Sequence, residues 1–182
     1  MKTNLQTIGI SLYKRKEQAK EIFKSLDTPA LKYGLGMQII LPELDLNKAL
    51  AKENEDERMS IIAPKGVRIL SPAELSVEEQ ESYLEGLVTI QENKFIALHN
   101  AILNDTKILI IPQNTTCKEP IKIKSHFTKK AKAESIIIIA EQNSSAKIIE
   151  ESTSEKEAYY KSQVIQVYAK ENASLEFYSF QN

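Results

Sequence analysis

Three stretches of the C-terminal half repeat one another at a spacing of 29 residues. They are ILIIPQNTTC (Ile108 to Cys117), IIIAEQNSSA (Ile137 to Ala146) and QVYAKENASL (Gln166 to Leu175). Each opens on an apolar run, reaches an Asn, and follows it with small or hydroxylated residues; Asn114, Asn143 and Asn172 mark the period. A fixed period in this range means one supersecondary unit stacked on copies of itself. The apolar runs are short and rich in β-branched residues, so the unit is strand-like and the expected architecture is a β-solenoid. In such a stack equivalent positions lie about 4.8 Å apart. The three Asn side chains then share one corner, where their amides can hydrogen-bond along the stack. Isoleucines fill the interior, and the charged segments Thr128 to Glu134 and Glu151 to Lys161 are expected as loops at the other corner.

Composition narrows the function. Of the 182 residues, 42% are hydrophobic, which supports a real core. Charges nearly balance, 24 basic against 25 acidic, so there is no basic stripe to argue for nucleic acid. Lys129, Lys130 and Lys132, with Glu134 beside them, read as a solvated turn. The single cysteine, Cys117, excludes an intrachain disulfide and fits a reducing, cytoplasmic setting. The start lacks an apolar segment of signal-peptide length, and the run Ile136 to Ala140 is far too short to span a bilayer. All five glycines lie at or before Gly86, so the second half holds no glycine-rich phosphate loop.

Upstream of the repeat the chain reads as mixed helix and strand, over residues 1–92. Leu12, Ala19, Ile22, Phe23 and Leu26 share a face of a helix expected from Ser11 to Leu26. A connector, Tyr33-Gly34-Leu35-Gly36, leads to an extended run at Met37 to Leu41. Asn47 to Arg58 fits a short exposed helix or a mobile loop. Strands are expected at Ile61 to Ala63 and Val67 to Leu70, around the turn Pro64-Lys65-Gly66. Ser71-Pro72 opens a helix towards Tyr83, with proline at its first position. A further helix is expected from Asn93 to Leu103, stopped by Asn104-Asp105. Short strands follow at Ile108 to Ile111, Ile121 to Ile123, Ile136 to Ile139, Lys147 to Ile149, Val164 to Tyr168 and Leu175 to Tyr178.

Few residues invite chemistry. His99 reads as a buried, hydrogen-bonded helix residue and His126 as a turn residue. Cys117 shares a repeat column with Ala146 and Leu175, which makes it a small core residue rather than a reactive thiol. These three have no zinc-like spacing. The adjacent carboxylates Glu78-Glu79 and Glu150-Glu151 read as solvated pairs. The expectation is therefore a non-enzyme, with no catalytic, cofactor-binding or metal site in this chain.

The segment Asn93 to Pro120, NKFIALHNAILNDTKILIIPQNTTCKEP, resembles the SufB/SufD family of iron–sulfur cluster assembly scaffolds. The matching residues are Lys94, Phe95, Ala97, Leu98, His99, Asn100, Ala101, Asn104, Asp105, Pro112, Pro120 and Ile121, whereas Thr106 stands where the family commonly has glycine. Lys32 to Gly36, Gly66-Val67, Ala140 to Ser145 and Ser162 to Asn182 are similar to other parts of the family. The resemblance implies a mainly β protein: an α/β N-terminal region, then from residue 93 a truncated, right-handed parallel β-helix. It implies a scaffold role in the SUF system, by protein–protein contact with an ABC-type ATPase, SufC, and with a SufB/SufD-like partner or a separately encoded C-terminal half. No cofactor is expected on this chain alone, although the assembled complex has room for an iron–sulfur cluster. The last strand, with Leu175, Phe177, Tyr178 and Phe180, is expected to be covered by such a partner. The competing readings are a truncated or split-gene remnant without independent activity, and a β-helical carbohydrate-active enzyme. The latter is disfavoured because no carboxylate cluster recurs on one strand face.

Overall fold

Asn114, Asn143 and Asn172 all adopt left-handed backbone, with φ of 57°, 57° and 56°. Asn is among the few non-glycine residues that tolerate this region, so a chain without glycine can still turn sharply at each repeat. The three amides form the expected ladder: Asn143 Nδ2 donates to Asn114 Oδ1 at 3.0 Å and Asn172 Nδ2 to Asn143 Oδ1 at 3.2 Å. A second ladder runs beside it, from Gln113 Nε2 to Gln142 Oε1 and from Gln142 Nε2 to Glu171 Oε2. The backbone N–H groups of Asn114 and Asn143 each donate to a carbonyl of the next repeat, Gln142 and Glu171. The corner is thus hydrogen-bonded through both main chain and side chains.

These features come from a computed structural model that describes residues 3–28, 31–33, 37–39, 45–51, 59–76, 78–79, 83, 89–128, 131–156 and 159–182. The elements are helix α1 (Thr3–Ser25), strands β1 (Leu31–Tyr33) and β2 (Met37–Ile39), helix α2 (Leu46–Ala51), and strands β3 (Ser60–Ile62) and β4 (Arg68–Leu70). A 3-10 turn (Pro72–Glu74) and helix α3 (Lys94–Ala101) follow. Six longer strands complete the fold: β5 (Leu103–Ile111), β6 (Ile121–Phe127), β7 (Ala131–Ala140), β8 (Ser145–Ser154), β9 (Tyr160–Ala169) and β10 (Ser174–Gln181).

From β5 onward the strands alternate between two sheets, ordered β4-β5-β7-β9 and β3-β6-β8-β10. The pairs β5/β7, β7/β9, β6/β8 and β8/β10 are parallel; the 29-residue repeat sets the register of three of them, with Ile108 beside Ile137 and Ala146 beside Leu175, whereas in β6/β8 Ile121 stands beside Ile148, 27 residues on. At the first repeat each sheet is finished by a short antiparallel strand, β3 on β6 and β4 on β5. The expected strands around Pro64-Lys65-Gly66 therefore form, but in different sheets. Gly66, at φ +102°, makes the turn that carries the chain from one to the other.

The core lies between the sheets. Leu109, Ile111, Ile136 and Ile138 of one meet Ile121, Ile123 and Ile148 of the other. The β4-β5-β7-β9 sheet is also covered on its outer face. There Ile108, Ile110, Ile137 and Ile139 lie under Leu75 and Tyr83, with Leu70 of β4 beside them in the sheet, while Ala131 and Ala133 lie under Ala97, Leu98, Ala101 and Phe23 of the helices. Alanines at these positions let helices and sheet approach closely. Asn93 caps α3 by accepting from the N–H groups of Phe95 (2.9 Å) and Ile96 (3.0 Å). Lys94 Nζ reaches the Leu26 carbonyl at 2.7 Å, a cation at the end of α1.

Several expectations need correction. The strands extend well beyond their apolar centres, so residues 131–134, 151–154 and 160–161, expected in loops, lie in β7, β8 and β9. Asn104-Asp105 does not end a helix in a loop; α3 stops at Ile102 and the chain enters β5 at once, with a register shift between Leu103 and Asp105. The helix α2 is not simply exposed, because Leu46 and Ala49 are buried among α1 and α3 residues. Residues 52–58, part of the same expected helix or loop, lie outside the described residues, as do 34–36 of the connector and 40–41 of the extended run. After Ser71 the described residues form a 3-10 turn, and residues 77, 80–82 and 84–88 of the expected helix and its continuation lie outside the described residues. The residue that caps the turn, Ser71, is held by Glu74, whose Oε2 accepts from Ser71 N and Oγ at 2.7 Å each, and Glu78, Glu79 and Tyr83 are helical beyond it.

Candidate functional site

Strand alternation decides which side chains of β7 enter the core. Ile136, Ile138 and Ala140 face inward, so Lys132 and Glu134 on the same parity face inward too. Both are buried, Glu134 completely. Lys132 Nζ stands 2.6 Å from Glu134 Oε1, an ion-pair contact outside hydrogen-bond geometry, and donates a long bond of 3.4 Å to the His126 carbonyl. Ser125 Oγ of β6 donates to Glu134 Oε2 at 2.6 Å. The reading of Lys132 and Glu134 as a solvated turn is overturned. A strand that continues past its isoleucines carries its charges into the interior.

A second carboxylate joins from the opposite sheet. Glu150 of β8 is fully buried and accepts from Ser152 Oγ at 2.7 Å and from Ser179 Oγ of β10. It is therefore not the solvated partner of Glu151, which is exposed and pairs with Lys124 at 3.1 Å. Lys161 of β9 completes the group, its Nζ 4.7 Å from the centre of the Phe127 ring. Burial pulls the Lys161 ammonium below its usual value, against the opposing pull of the Glu150 and Glu134 charges. Lys132 lies 5.2 Å over the same ring. The space between the sheets is thus apolar at one end and ionic at the other. Taking such charges out of water costs several kcal/mol each unless they are paired and hydrogen-bonded. Here two ammonium groups and three serines serve two carboxylates.

The repeat extends into this polar end. Asp105, Glu134 and Gln163 lie side by side on β5, β7 and β9, 29 residues apart. Carboxylates therefore do recur in one column, contrary to the expectation, although Gln163 takes the third place. Asp105 accepts from Met59 N at 3.1 Å and stands 3.4 Å from Lys107. The signal was available in AKAESIIIIA, where alternate positions read Lys, Glu, Ile, Ile, Ala.

The other singled-out residues fall apart in space. His99, as expected, is buried in α3. Its Nδ1 lies 2.8 Å from Ser162 Oγ and its Nε2 2.9 Å from Ser135 Oγ, which ties the helix to β9 and β7. Burial, and then the nearby Arg15 charge, lower its pKa to about 4, so the imidazole is neutral at pH 7. His126 is a strand residue rather than a turn residue. It points out of β6 and lies 2.9 Å from Thr153 Oγ1. Cys117 packs beside Ala146, Ala173 and Leu175, and burial pushes its thiol up, away from the reactive thiolate. Among the described residues no group of three or more His, Cys, Asp or Glu side chains is placed to hold a metal ion. No described helix is long and apolar enough to cross a membrane.

The class defined by this geometry is a mainly β repeat protein: two sheets of stacked strands, with a helical cover on one of them. Residues 123–182, from β6 through β10, match the family model described as SUF system FeS cluster assembly, SufBD core domain. The chain is also 32% identical over 110 residues to an iron–sulfur cluster assembly SufBD family protein, ycf24, of Trieres chinensis. That alignment covers 56% of this chain and 22% of the relative's length. Over these residues the chain is similar to the SufB/SufD family, and it spans about a fifth of the length of that relative. The family-model match lies downstream of the Asn93 to Pro120 motif that first suggested it.

Proposed function

We propose that this chain contributes stacked strands to a scaffold for iron–sulfur cluster assembly, acting by contact with a SufC-like ATPase and a SufB/SufD-like partner. One observation carries the reading. The family match covers the strands whose rungs repeat in register and whose interior holds the paired charges. In this reading the two sheets are opposite walls of a right-handed parallel β-helix. The chain performs no catalytic step and holds no cofactor alone; the cluster is cargo of the assembled cytoplasmic complex.

Contact surfaces are available for such a role. Strands β9 and β10 each pair with one neighbour only among the described residues. A strand edge is a template for another chain. Tyr178 and Phe180 add exposed aromatic surface on β10, 45% and 59% accessible. Co-expression with a SufC-like ATPase and a SufB/SufD-like protein, followed by affinity capture, tests the reading. Both partners are expected to co-purify, with Phe180→Asp reducing capture at least tenfold, a loss of about 1.4 kcal/mol. A chain that stays monomeric and captures neither partner overturns it, and leaves a remnant without independent activity as the better account.

A further inference from the structure

Where β4 leaves the edge of β5, a second feature opens that the scaffold role does not use. The strand β4 pairs with β5 only from Ile108 to Ile110, so β5 from Leu103 to Lys107 faces a cleft. Helix α1 and the Ser71-Pro72-Ala73 segment form the other walls, enclosing a cavity of about 360 Å³. Its ionisable lining is Arg15 and Lys16 from α1 and Lys107 and Asp105 from β5. Among the described lining residues, then, three cations face one carboxylate. That carboxylate is already engaged, by Met59 N and by Lys107. Glu74, just outside, is turned to Ser71.

The cationic wall is held in place. Arg15 Nε donates to Asn100 Oδ1 at 3.0 Å, which fixes the plane of the guanidinium. Asn100 is itself anchored, donating from Nδ2 to the Ile96 carbonyl at 2.9 Å. Asn104 accepts from Ala133 N at 3.0 Å through Oδ1, which orients its amide. Burial works against the Arg15 charge and lowers its pKa. Neighbouring His99 is neutral and adds no charge of its own. A half-buried, pre-oriented guanidinium with two lysines beside it matches a compact oxyanion, whose oxygens accept from a planar fork of N–H groups.

We propose that this cleft binds a small oxyanion of the phosphate class, either free phosphate or a phosphate monoester. The site adjoins the interior ionic cluster at Asp105, which lies beside Glu134, and is independent of the scaffold reading. Titration of the full chain with inorganic phosphate and with glycerol 2-phosphate, at ionic strength held constant with chloride, tests it. Calorimetry and amide NMR are expected to show saturable binding in the millimolar range, with the shifts confined to Arg15, Lys16, Asn100, Asn104 and Lys107. Tighter binding of the ester identifies a phosphorylated metabolite as the source; equal or weaker binding identifies free phosphate. Lys16→Gln is expected to weaken binding about three- to tenfold, roughly 0.7 to 1.4 kcal/mol, without lowering Tm by more than a degree or two. Arg15→Gln is expected to abolish it. The proposal fails if phosphate produces no saturable change beyond the chloride control. It fails equally if Lys16→Gln, still folded, binds as the parent does.

Discussion

The two sheets share one interior yet are written differently. Strand β6 reads IKIKSHF, strictly alternating between buried and exposed positions. Strand β7 reads AKAESIIIIA and is buried at nine of its ten positions. The cause is coverage. The outer face of β6 carries Lys122, Lys124 and His126, all exposed, whereas the outer face of β7 lies under Leu75, Tyr83 and the helices. A strand with one wet face alternates, and a strand covered on both faces becomes a continuous apolar run. The difference teaches that Leu75, Tyr83 and the helices α1 and α3 are structural parts of one sheet rather than appendages.

The sharpest way to break the comparison is at the charges between the sheets. Lys132→Met leaves Glu134 buried without its ammonium, and the expected loss is about 3–5 kcal/mol of unfolding free energy. Lys132→Met combined with Glu134→Leu is expected to recover most of that loss, because both desolvation penalties disappear. Urea denaturation of the two variants decides the point. If the single variant is as stable as the parent, the charges are solvated and the two sheets do not enclose them.

A smaller effect separates the outer faces. Ile137→Ala, on the covered face, is expected to cost about 2–5 kcal/mol, because it leaves a cavity under the covering residues. Lys122→Ala, outward on the open sheet, is expected to stay within about 0.5 kcal/mol. Equal losses at the two positions would mean that both outer faces are covered, or neither.

The third test concerns pH, and reaches only the covered sheet. The His99 pKa falls from 6.5 to about 4 on folding, so between those values the unfolded chain binds more protons. Stability held above pH 6.5 is therefore lost as pH falls towards 4. The expected loss between pH 7 and pH 5 is on the order of 2 kcal/mol. Chemical denaturation at the two values measures it, and His99→Asn should flatten that part of the profile. A parent profile as flat as the variant's would place His99 in water, and α3 off the sheet.

Much of the fold was legible because periodicity is a local property. The Asn114, Asn143 and Asn172 spacing predicted the corner ladder, and the helix expected from Asn93 formed as α3. The limits of the strands were not legible in the same way. Lys132, Glu134 and Glu150 look like loop residues by composition, since charges are rarely buried unless paired. Their partners, Ser125, Ser179 and Lys161, come from other strands. The cationic cleft was hidden for a related reason, because Arg15 and Lys107 lie in elements that meet only once the helices pack on the sheet.

By itself, then, the sequence determined the repeat, its 29-residue register, the turn residues and the alternating or continuous character of each strand. All of these follow from local backbone preference and the side-chain periods of strand and helix. Tertiary structure decided which charges lie inside, which sheet is covered, and where the N-terminal helix brings its cations. Those outcomes depend on contacts between distant segments, where desolvation and pairing are settled together.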